Sequence, residues 1–232
     1  MKRIIMTAAM ILACALSFAQ DYDFIGDLKD DFTFLDTVPQ KKKFFNEHLI
    51  GLEYSAILSS VKSSPTIEES RLLTYMNFGV SYTFYHVLWD KMANFGLKVG
   101  ARYEEVGYKS EYDNFGEKYH EIELPLISQF KIDFSSFRIL ANAGTYYGYR
   151  LDTDKPGGFD QYDQRHDYGL LAGAGFAIVF RPLEFHIEAN YKFGLGSIYQ
   201  TNKVSDLYWM YTYPRDLIIS AGLYFHLEKR RK

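Results

Sequence analysis

The chain of 232 residues carries 26 basic and 29 acidic residues, a formal net charge of −3, and 18% of its residues are aromatic. A slightly acidic chain does not favour nucleic-acid binding, and a single cysteine excludes an internal disulfide framework. The 20 Tyr and 19 Phe, with 17 Gly and 6 Pro, indicate β-structure at boundaries between wet and dry surroundings.

The first residues are typical of an export signal. Lys2 and Arg3 precede an apolar run over 4–18, and Ser17-Phe18-Ala19 has the small-x-small pattern that signal peptidase cleaves. We therefore predict a signal peptide over 1–19. The alternative is a lipoprotein box over 11–14, with Cys14 acylated. Cleavage after Ala19 would leave a mature chain without a thiol.

Residues 20–47 lack sustained alternation and precede the first strand, so we predict a periplasmic N-terminal segment there. The segment is acidic at first and basic at 41–43. Its composition suits a disordered leader. The alternative is a docking strip for a periplasmic partner, and its apolar side chains would be those of Phe24, Phe32, Phe34 and Leu35.

Eight segments then alternate polar and apolar residues with a period of two, which sends successive side chains to opposite faces of a strand. They are residues 48–60, 73–87, 94–108, 119–132, 137–151, 167–180, 183–198 and 216–227. The pattern predicts an all-β fold, an eight-stranded antiparallel up-and-down transmembrane β-barrel over 48–228. A charged tail, 229–232, follows.

The connections alternate in length. Those after the second, fourth and sixth strands are short, and those after the first, third, fifth and seventh are longer and polar. The short ones are 88–93, 133–136 and 181–182, and the long ones are 61–72, 109–118, 152–166 and 199–215. Outer-membrane barrels alternate tight periplasmic turns with longer external loops in the same way.

One face of the predicted strands is apolar and the other is charged. The charged face carries six acids and six bases, which we expect to pair and close the lumen of a small barrel. The predicted lumen network is Glu53, Lys98, Arg102, Glu121, Glu123, Lys131, Arg138, Glu184, His186, Glu188 and Lys192, with Glu104 and Arg150 on the same face. Leu140, Leu171 and Ile218 also face inward, and Pro125 predicts a bulge in the fourth strand.

In a soluble lipocalin-like barrel the apolar face would line the interior and the charged face would lie outside. The alternation of polar and apolar residues is the same in both folds, so it does not distinguish them. The export signal, the alternation of loop lengths and the aromatic residues near strand ends favour the membrane. Those aromatic residues are Trp89, Phe134, Phe137, Phe180, Tyr146, Tyr147 and Tyr149.

Four stretches carry a family resemblance: HEIELPLISQFKI at 120–132, RILANAGTYYGYRL at 138–151, DYGLLAGAGFAIVF at 167–180 and EANYKFGLGSI at 188–198. Together they resemble the PorT-like outer-membrane β-barrel family of Bacteroidota, over about residues 48–227. The resemblance implies a small outer-membrane barrel, and through the name-giving members a part in type IX protein secretion. Such barrels usually end on an aromatic residue, whereas here Phe225 is followed by His226 and Leu227 and then by the charged residues 228–232.

Three groups of residues carry side chains that suit catalysis or metal binding. His186, Glu188 and Asn190 share a face and would need a nucleophile such as Ser197 or Ser220. Asp160, Asp163, His166 and Asp167 lie close together in sequence, as a surface protease with its active site at the external rim of the barrel would require. Asp152, Asp154, Asp160 and Asp163 offer carboxylates for calcium without EF-hand spacing. The packed lumen and solvated loops explain these groups better, so no catalytic residue, metal or cofactor is predicted.

The last long loop is rich in aromatic residues. Tyr199, Tyr208, Trp209, Tyr211 and Tyr213 either contact an external sugar or protein or belong to the interfacial belt, which we favour. The sequence thus predicts a monomeric, lipid-embedded outer-membrane barrel without catalysis, with a structural or interaction role, and possible periplasmic or secretion-system partners. A narrow porin-like channel and a surface lipid- or peptide-hydrolase are the alternatives.

Overall fold

The computed structural model describes residues 46–64, 69–86, 95–110, 116–134, 137–180, 182–202 and 211–227. Eight long strands make up nearly all of them. They are β1 (Glu47–Ser64), β2 (Leu72–His86), β3 (Phe95–Ser110), β4 (Gly116–Phe134), β5 (Phe137–Thr153), β6 (His166–Phe180), β7 (Leu183–Gly194) and β8 (Tyr211–His226). A two-residue strand, Glu69–Ser70, pairs with the end of β3.

The eight strands form a closed barrel. Each pairs antiparallel with the next, and β8 pairs with β1 from Leu49↔His226 to Ser64↔Tyr211. Closure pairs the backbone groups that an open sheet would leave free at its edges. The predicted eight-stranded antiparallel up-and-down barrel is confirmed. None of the described residues forms a helix long and apolar enough to cross a membrane.

The apolar face of each strand points outward. Leu52 is 64% exposed, Leu124 52% and Ile219 52%, whereas Lys98, Glu121 and Lys192 on the other face are fully buried. This is the reverse of a lipocalin-like barrel, in which the apolar face lines the interior. Leu140, Leu171 and Ile218 point inward as predicted.

The predicted bulge at Pro125 is wrong. Pro125 pairs with Tyr146, and the register on either side of this pair is unbroken. Proline has no N–H, so the strand loses one backbone hydrogen bond at this position, but it gains no extra residue and therefore does not bulge. The two register shifts lie elsewhere. One places Tyr75 and Met76 of β2 side by side on the outside, and the other places an extra residue in β5 opposite His120 and Glu121.

Some strand limits also differ from the prediction. β1 begins at Glu47, which the sequence assigned to the N-terminal segment, and β8 begins at Tyr211 instead of 216. β7 ends at Gly194 instead of 198. The signal peptide, the aromatic residues of the N-terminal segment, Trp89, Tyr208, Trp209 and the tail 229–232 lie outside the described residues.

Apolar clusters occupy both ends of the interior. Leu49, Tyr85 and Tyr224 form one at the end of the tight turns, and glycines make room for it: a Cβ on Gly51 would lie 2.4 Å from the Tyr224 ring. The cluster toward the long connections is larger, and consists of Ile57, Val106, Tyr119, Ile198, Tyr199 and Ile218. The charged residues lie between and around these clusters.

Candidate functional site: the charged interior of the barrel

The alternation of the strands gathers every predicted network residue inside the barrel. Each of the eleven side chains points inward, and their exposed fractions are 5% or less. Burying so many charges is costly unless they are paired, so their partners decide what the interior can do. Three groups of partners follow, from the long-connection end to the tight-turn end.

Lys192 of β7 is at the centre of the first group. Its Nζ lies 2.9 Å from Glu104, 3.2 Å from Glu121 and 2.6 Å from Glu123. Asp216 of β8 is 3.9 Å from the same ammonium. One buried cation therefore faces four carboxylates contributed by β3, β4 and β8.

Lys98 and Arg102, both on β3, organise the second group. Lys98 Nζ is 2.8 Å from Glu53 and 3.0 Å from Glu188, and it joins β1 to β7 across the lumen. Arg102 lies 3.2 Å from Glu53 and 3.4 Å from Glu123. Arg102 thus connects this group to the carboxylates around Lys192.

The third group closes the tight-turn end. Arg138 contacts Glu184 at 2.6 Å and Glu47 at 3.1 Å, and Lys131 contacts Glu47 at 2.6 Å. The two oxygens of Glu184 also bond His186 at 3.0 Å and His226 at 2.5 Å. Glu184 is therefore held by one guanidinium and two imidazoles.

Neutral donors complete the interior. Asn142 Nδ2 donates to Glu188 at 2.7 Å, and Ser81 Oγ donates to Glu53 at 2.6 Å. The Tyr224 hydroxyl also donates to Glu53, and the Ser59 hydroxyl donates to Asp216. These bonds satisfy carboxylate oxygens without adding charge.

Sequence reasoning missed three acids and one histidine of the described ion-pair network: Glu47, Asp167, Asp216 and His226. Asp216 was open to prediction, since it lies two residues before Ile218, which was assigned inward. With these residues, nine acids face six bases instead of six facing six. The interior network carries a formal surplus of three negative charges.

Two groups of three potential metal ligands occur in the described part of the chain: Glu47, Glu184 and His226, and Glu104, Glu121 and Glu123. A protein cation already bridges each group. Arg138 contacts Glu47 and Glu184 in the first, and Lys192 contacts all three carboxylates of the second. We therefore interpret both as ion-pair networks.

The candidate catalytic residues do not converge. His186 is 2% exposed and stacks on Tyr224 at 3.9 Å between ring centroids. Ser220 Oγ donates to the Glu188 carbonyl at 3.5 Å, and Ser197 Oγ accepts the Thr212 amide at 3.2 Å. Neither hydroxyl bonds a histidine within the described ranges.

The acids proposed for the rim separate in the same way. Asp167 is buried and 3.8 Å from Arg150, while Asp163 accepts the Asp160 amide at 2.7 Å. Asp154 lies 3.1 Å from His120, and Asp152 caps the Thr153 amide at 2.8 Å. No three of these acids share a site among the residues described.

The aromatic residues of the last loop also divide. Tyr199 is buried beneath the connection that follows β5, and its hydroxyl bonds Tyr108 at 2.6 Å, so it is not available to an external ligand. Tyr211 and Tyr213 belong to β8 instead of the loop, and their rings stack at 6.1 Å on the outer wall.

No protein-family model matches the sequence, and no curated protein matches it. Solved structures do resemble the fold: Neisserial surface protein A (16% identity, 78% of this chain and 99% of that one, TM-score 0.47) and Escherichia coli outer membrane protein W (15%, 76% and 96%, 0.44). The N-terminal β-barrel domain of Pseudomonas aeruginosa OprF is another (12%, 79% and 100%, 0.43). These likenesses concern architecture alone, and function has to be argued from the residues. The described strands by themselves show a small eight-stranded barrel with its apolar face outward and its charged face inside.

Proposed function

We propose that this chain is an integral outer-membrane barrel with a closed lumen, which acts as a structural or interaction component and carries out no catalysis. The observation that carries the proposal is the combination of an apolar outer wall with an ion-paired, buried interior. The wall suits lipid, and the interior suits neither solute passage nor substrate entry.

The outer wall has the dimensions of a bilayer core. On β8 the outward side chains from Phe225 to Leu217 are all apolar, and on β7 those from Leu183 to Phe193 are apolar or aromatic. At about 3.4 Å per residue and a tilt of about 40°, such stretches cover roughly 20–30 Å of membrane normal. An exposed apolar surface of this extent would drive a soluble protein to aggregate.

Aromatic side chains lie near both edges of this wall. Phe134, Phe137 and Phe180 are exposed at the tight-turn end, and Tyr147 and Tyr149 are exposed toward the long connections. Aromatic girdles of this kind settle at membrane interfaces. Tyr146, predicted with them, points into the lumen instead. By loop length, the tight turns face the periplasm.

The narrow-channel alternative is disfavoured by the density of the interior. Lys98 forms ion pairs with carboxylates of β1 and β7 across the lumen. Arg138 of β5 does the same with Glu47 of β1 and Glu184 of β7. Apolar clusters fill both ends of the interior. The hydrolase alternative is disfavoured because no serine bonds a histidine among the residues that the structure describes. His166 bonds the Tyr147 hydroxyl at 2.6 Å on the outer wall.

Insertion and closure have separate tests. The purified chain should enter phosphatidylcholine vesicles, resist protease there and run with heat-dependent mobility on gels. In planar bilayers the inserted protein should show no steady current. Persistent, ion-selective conductance would favour the channel, and failure to insert would contradict the membrane proposal altogether.

A part in protein secretion is the specific version of the interaction role, and the resemblance to PorT-like barrels supports it. A partner would bind through the external connections or through the N-terminal segment. Deleting the gene should change the set of secreted and surface proteins, and re-expression should restore it. Normal cargo export in the deletion strain would contradict the secretion role and leave the barrel proposal standing.

A further inference from the structure

We infer that the outer wall at the β8–β1 seam binds the phosphorylated headgroup of a membrane lipid, through Lys62 and Arg215. The inference rests on the proposed function, because it requires the wall to face lipid. Its basis is a pair of cations, placed where the apolar wall ends, that have no carboxylate partner among the described residues.

The strand register places these two side chains side by side. Lys62 pairs with Tyr213, and Ser60 pairs with Arg215, so Lys62 and Arg215 are diagonal neighbours on one face. Diagonal positions of an antiparallel pair lie about 7–8 Å apart, a distance that two long side chains span to reach one phosphate. Both residues point outward; Lys62 is exposed and Arg215 is half-buried.

Their height matches the headgroup layer. Going up β8, the outward side chains at 225, 223, 221, 219 and 217 are apolar, and Arg215 is the next. On β1, Lys62 follows Leu58 and Ser60 on the outward face. A lipid beside this seam would lay its acyl chains on Leu217 and Leu58 and bring its phosphate level with the two cations.

Arg215 is fixed but not neutralised. Its guanidinium lies 3.4 Å from the Phe193 ring centroid, and its Nη1 donates to the Gly194 and Pro214 carbonyls at 2.8 and 2.9 Å. These bonds orient the planar group and use one of its nitrogens. No carboxylate pairs with Arg215 or Lys62 in the part of the chain that is described, and a phosphate is the anion that a guanidinium and an ammonium bind well together.

The opposite side of the rim shows the contrast. There Lys118 lies 2.8 Å from Glu105 and 3.8 Å from Asp154, so its charge is already neutralised by the protein. The seam differs because the outward-facing residues described there, on β1 and β8, include cations and aromatic rings but no acids. Tyr211 and Tyr213, stacked beside Lys62, add the amphipathic rings that settle at a headgroup layer.

The test compares Lys62→Gln/Arg215→Gln with the unmodified protein and with Arg165→Gln. Arg165 is the matched control, because it is also an exposed arginine over a phenylalanine ring, 4.5 Å from Phe159, but on a connection at the barrel mouth. Each protein is inserted into phosphatidylcholine vesicles that contain a bis-phosphorylated glucosamine glycolipid or its dephosphorylated form. Native mass spectrometry then measures the lipid that remains bound.

The unmodified protein and Arg165→Gln should retain the phosphorylated lipid in preference to the dephosphorylated one. The double variant should bind the phosphorylated lipid about a hundredfold more weakly, since it loses two charge-assisted contacts and each contributes about one power of ten. Equal retention by the double variant, an equal loss in Arg165→Gln, or equal binding of both lipids would overturn the inference while insertion stands. Failure of the unmodified protein to insert would overturn the proposed function itself and the inference with it.

Discussion

Replacing Lys192 by methionine tests whether the interior is held together by its ion pairs. The substitution keeps most of the side-chain volume and removes the ammonium that lies 2.6–3.2 Å from Glu104, Glu121 and Glu123. Removing one partner of a buried ion pair costs about 3–5 kcal/mol, because the other charge stays buried. Here three carboxylates lose their shared cation, so we expect a loss of at least about 4 kcal/mol.

That loss corresponds to roughly a thousandfold change in the folding equilibrium. It can be measured by reversible urea unfolding in phosphatidylcholine vesicles, followed by the fluorescence of the two tryptophans. Lys118→Met is the control, because Lys118 is 30% exposed and its pairs with Glu105 and Asp154 are partly solvated. We expect a loss of about 1 kcal/mol or less there.

A second-site change separates electrostatics from packing. Adding Glu104→Gln to Lys192→Met removes one of the uncompensated charges and should restore part of the stability. If Lys192→Met loses no more stability than Lys118→Met, or if Glu104→Gln brings no recovery, the interior does not depend on this ion-pair group and the reasoning is refuted.

Three further predictions concern the wall, the packing and the lumen. Leu124→Arg should lower the free energy of unfolding in vesicles by about 2–4 kcal/mol, because Leu124 is exposed on the apolar wall. If Leu124→Ala lowers it by the same amount, Leu124 does not face lipid. Gly51→Ala should cost about 1–3 kcal/mol in the same assay, since its Cβ would meet the buried Tyr224 ring, and unchanged stability would mean that the ring moves freely. In planar bilayers the unmodified chain should show no steady conductance, and persistent current would mean that the interior opens.

The barrel was predictable because a single property, alternation with period two, encodes it along the chain. β5 and β6 were predicted as 137–151 and 167–180, and they extend from Phe137 to Thr153 and from His166 to Phe180. The start of β8 was missed because Pro214 and Arg215 are typical of a loop. In the barrel, Asp216 faces the polar interior and Arg215 the rim, so polar residues continue the strand.

The interior partners were less predictable than the interior residues. The alternation along a strand predicts which side chains point into the lumen. It does not predict which side chain of another strand lies opposite, at the same height in the barrel. Glu188 of β7, for example, pairs with Lys98 of β3 across the lumen, a choice that the alternation of the two strands does not specify. That choice depends on strand stagger and on the two bulges, which shift the register by one residue at places that the sequence does not mark.

Because the interior holds more acids than bases, removing the charge of one carboxylate should change the free energy of unfolding differently for Glu184 and for Asp167. Glu184 is held by Arg138, His186 and His226, whereas neither oxygen of Asp167 has a hydrogen-bond donor within the described residues. The nearest cation to Asp167 is Arg150, at 3.8 Å. A buried charge without bonds destabilises the fold, and an amide of the same shape removes that cost.

Asp167→Asn should therefore leave the free energy of unfolding unchanged or raise it by about 1 kcal/mol, while Glu184→Gln should lower it by about 3–5 kcal/mol. Both substitutions keep the side-chain shape and remove one negative charge, so each is the control for the other in urea unfolding. Equal losses would mean that Asp167 is satisfied as fully as Glu184. Opposite signs would mean that hydrogen bonds from the protein, more than total charge, decide which interior carboxylates stabilise the barrel.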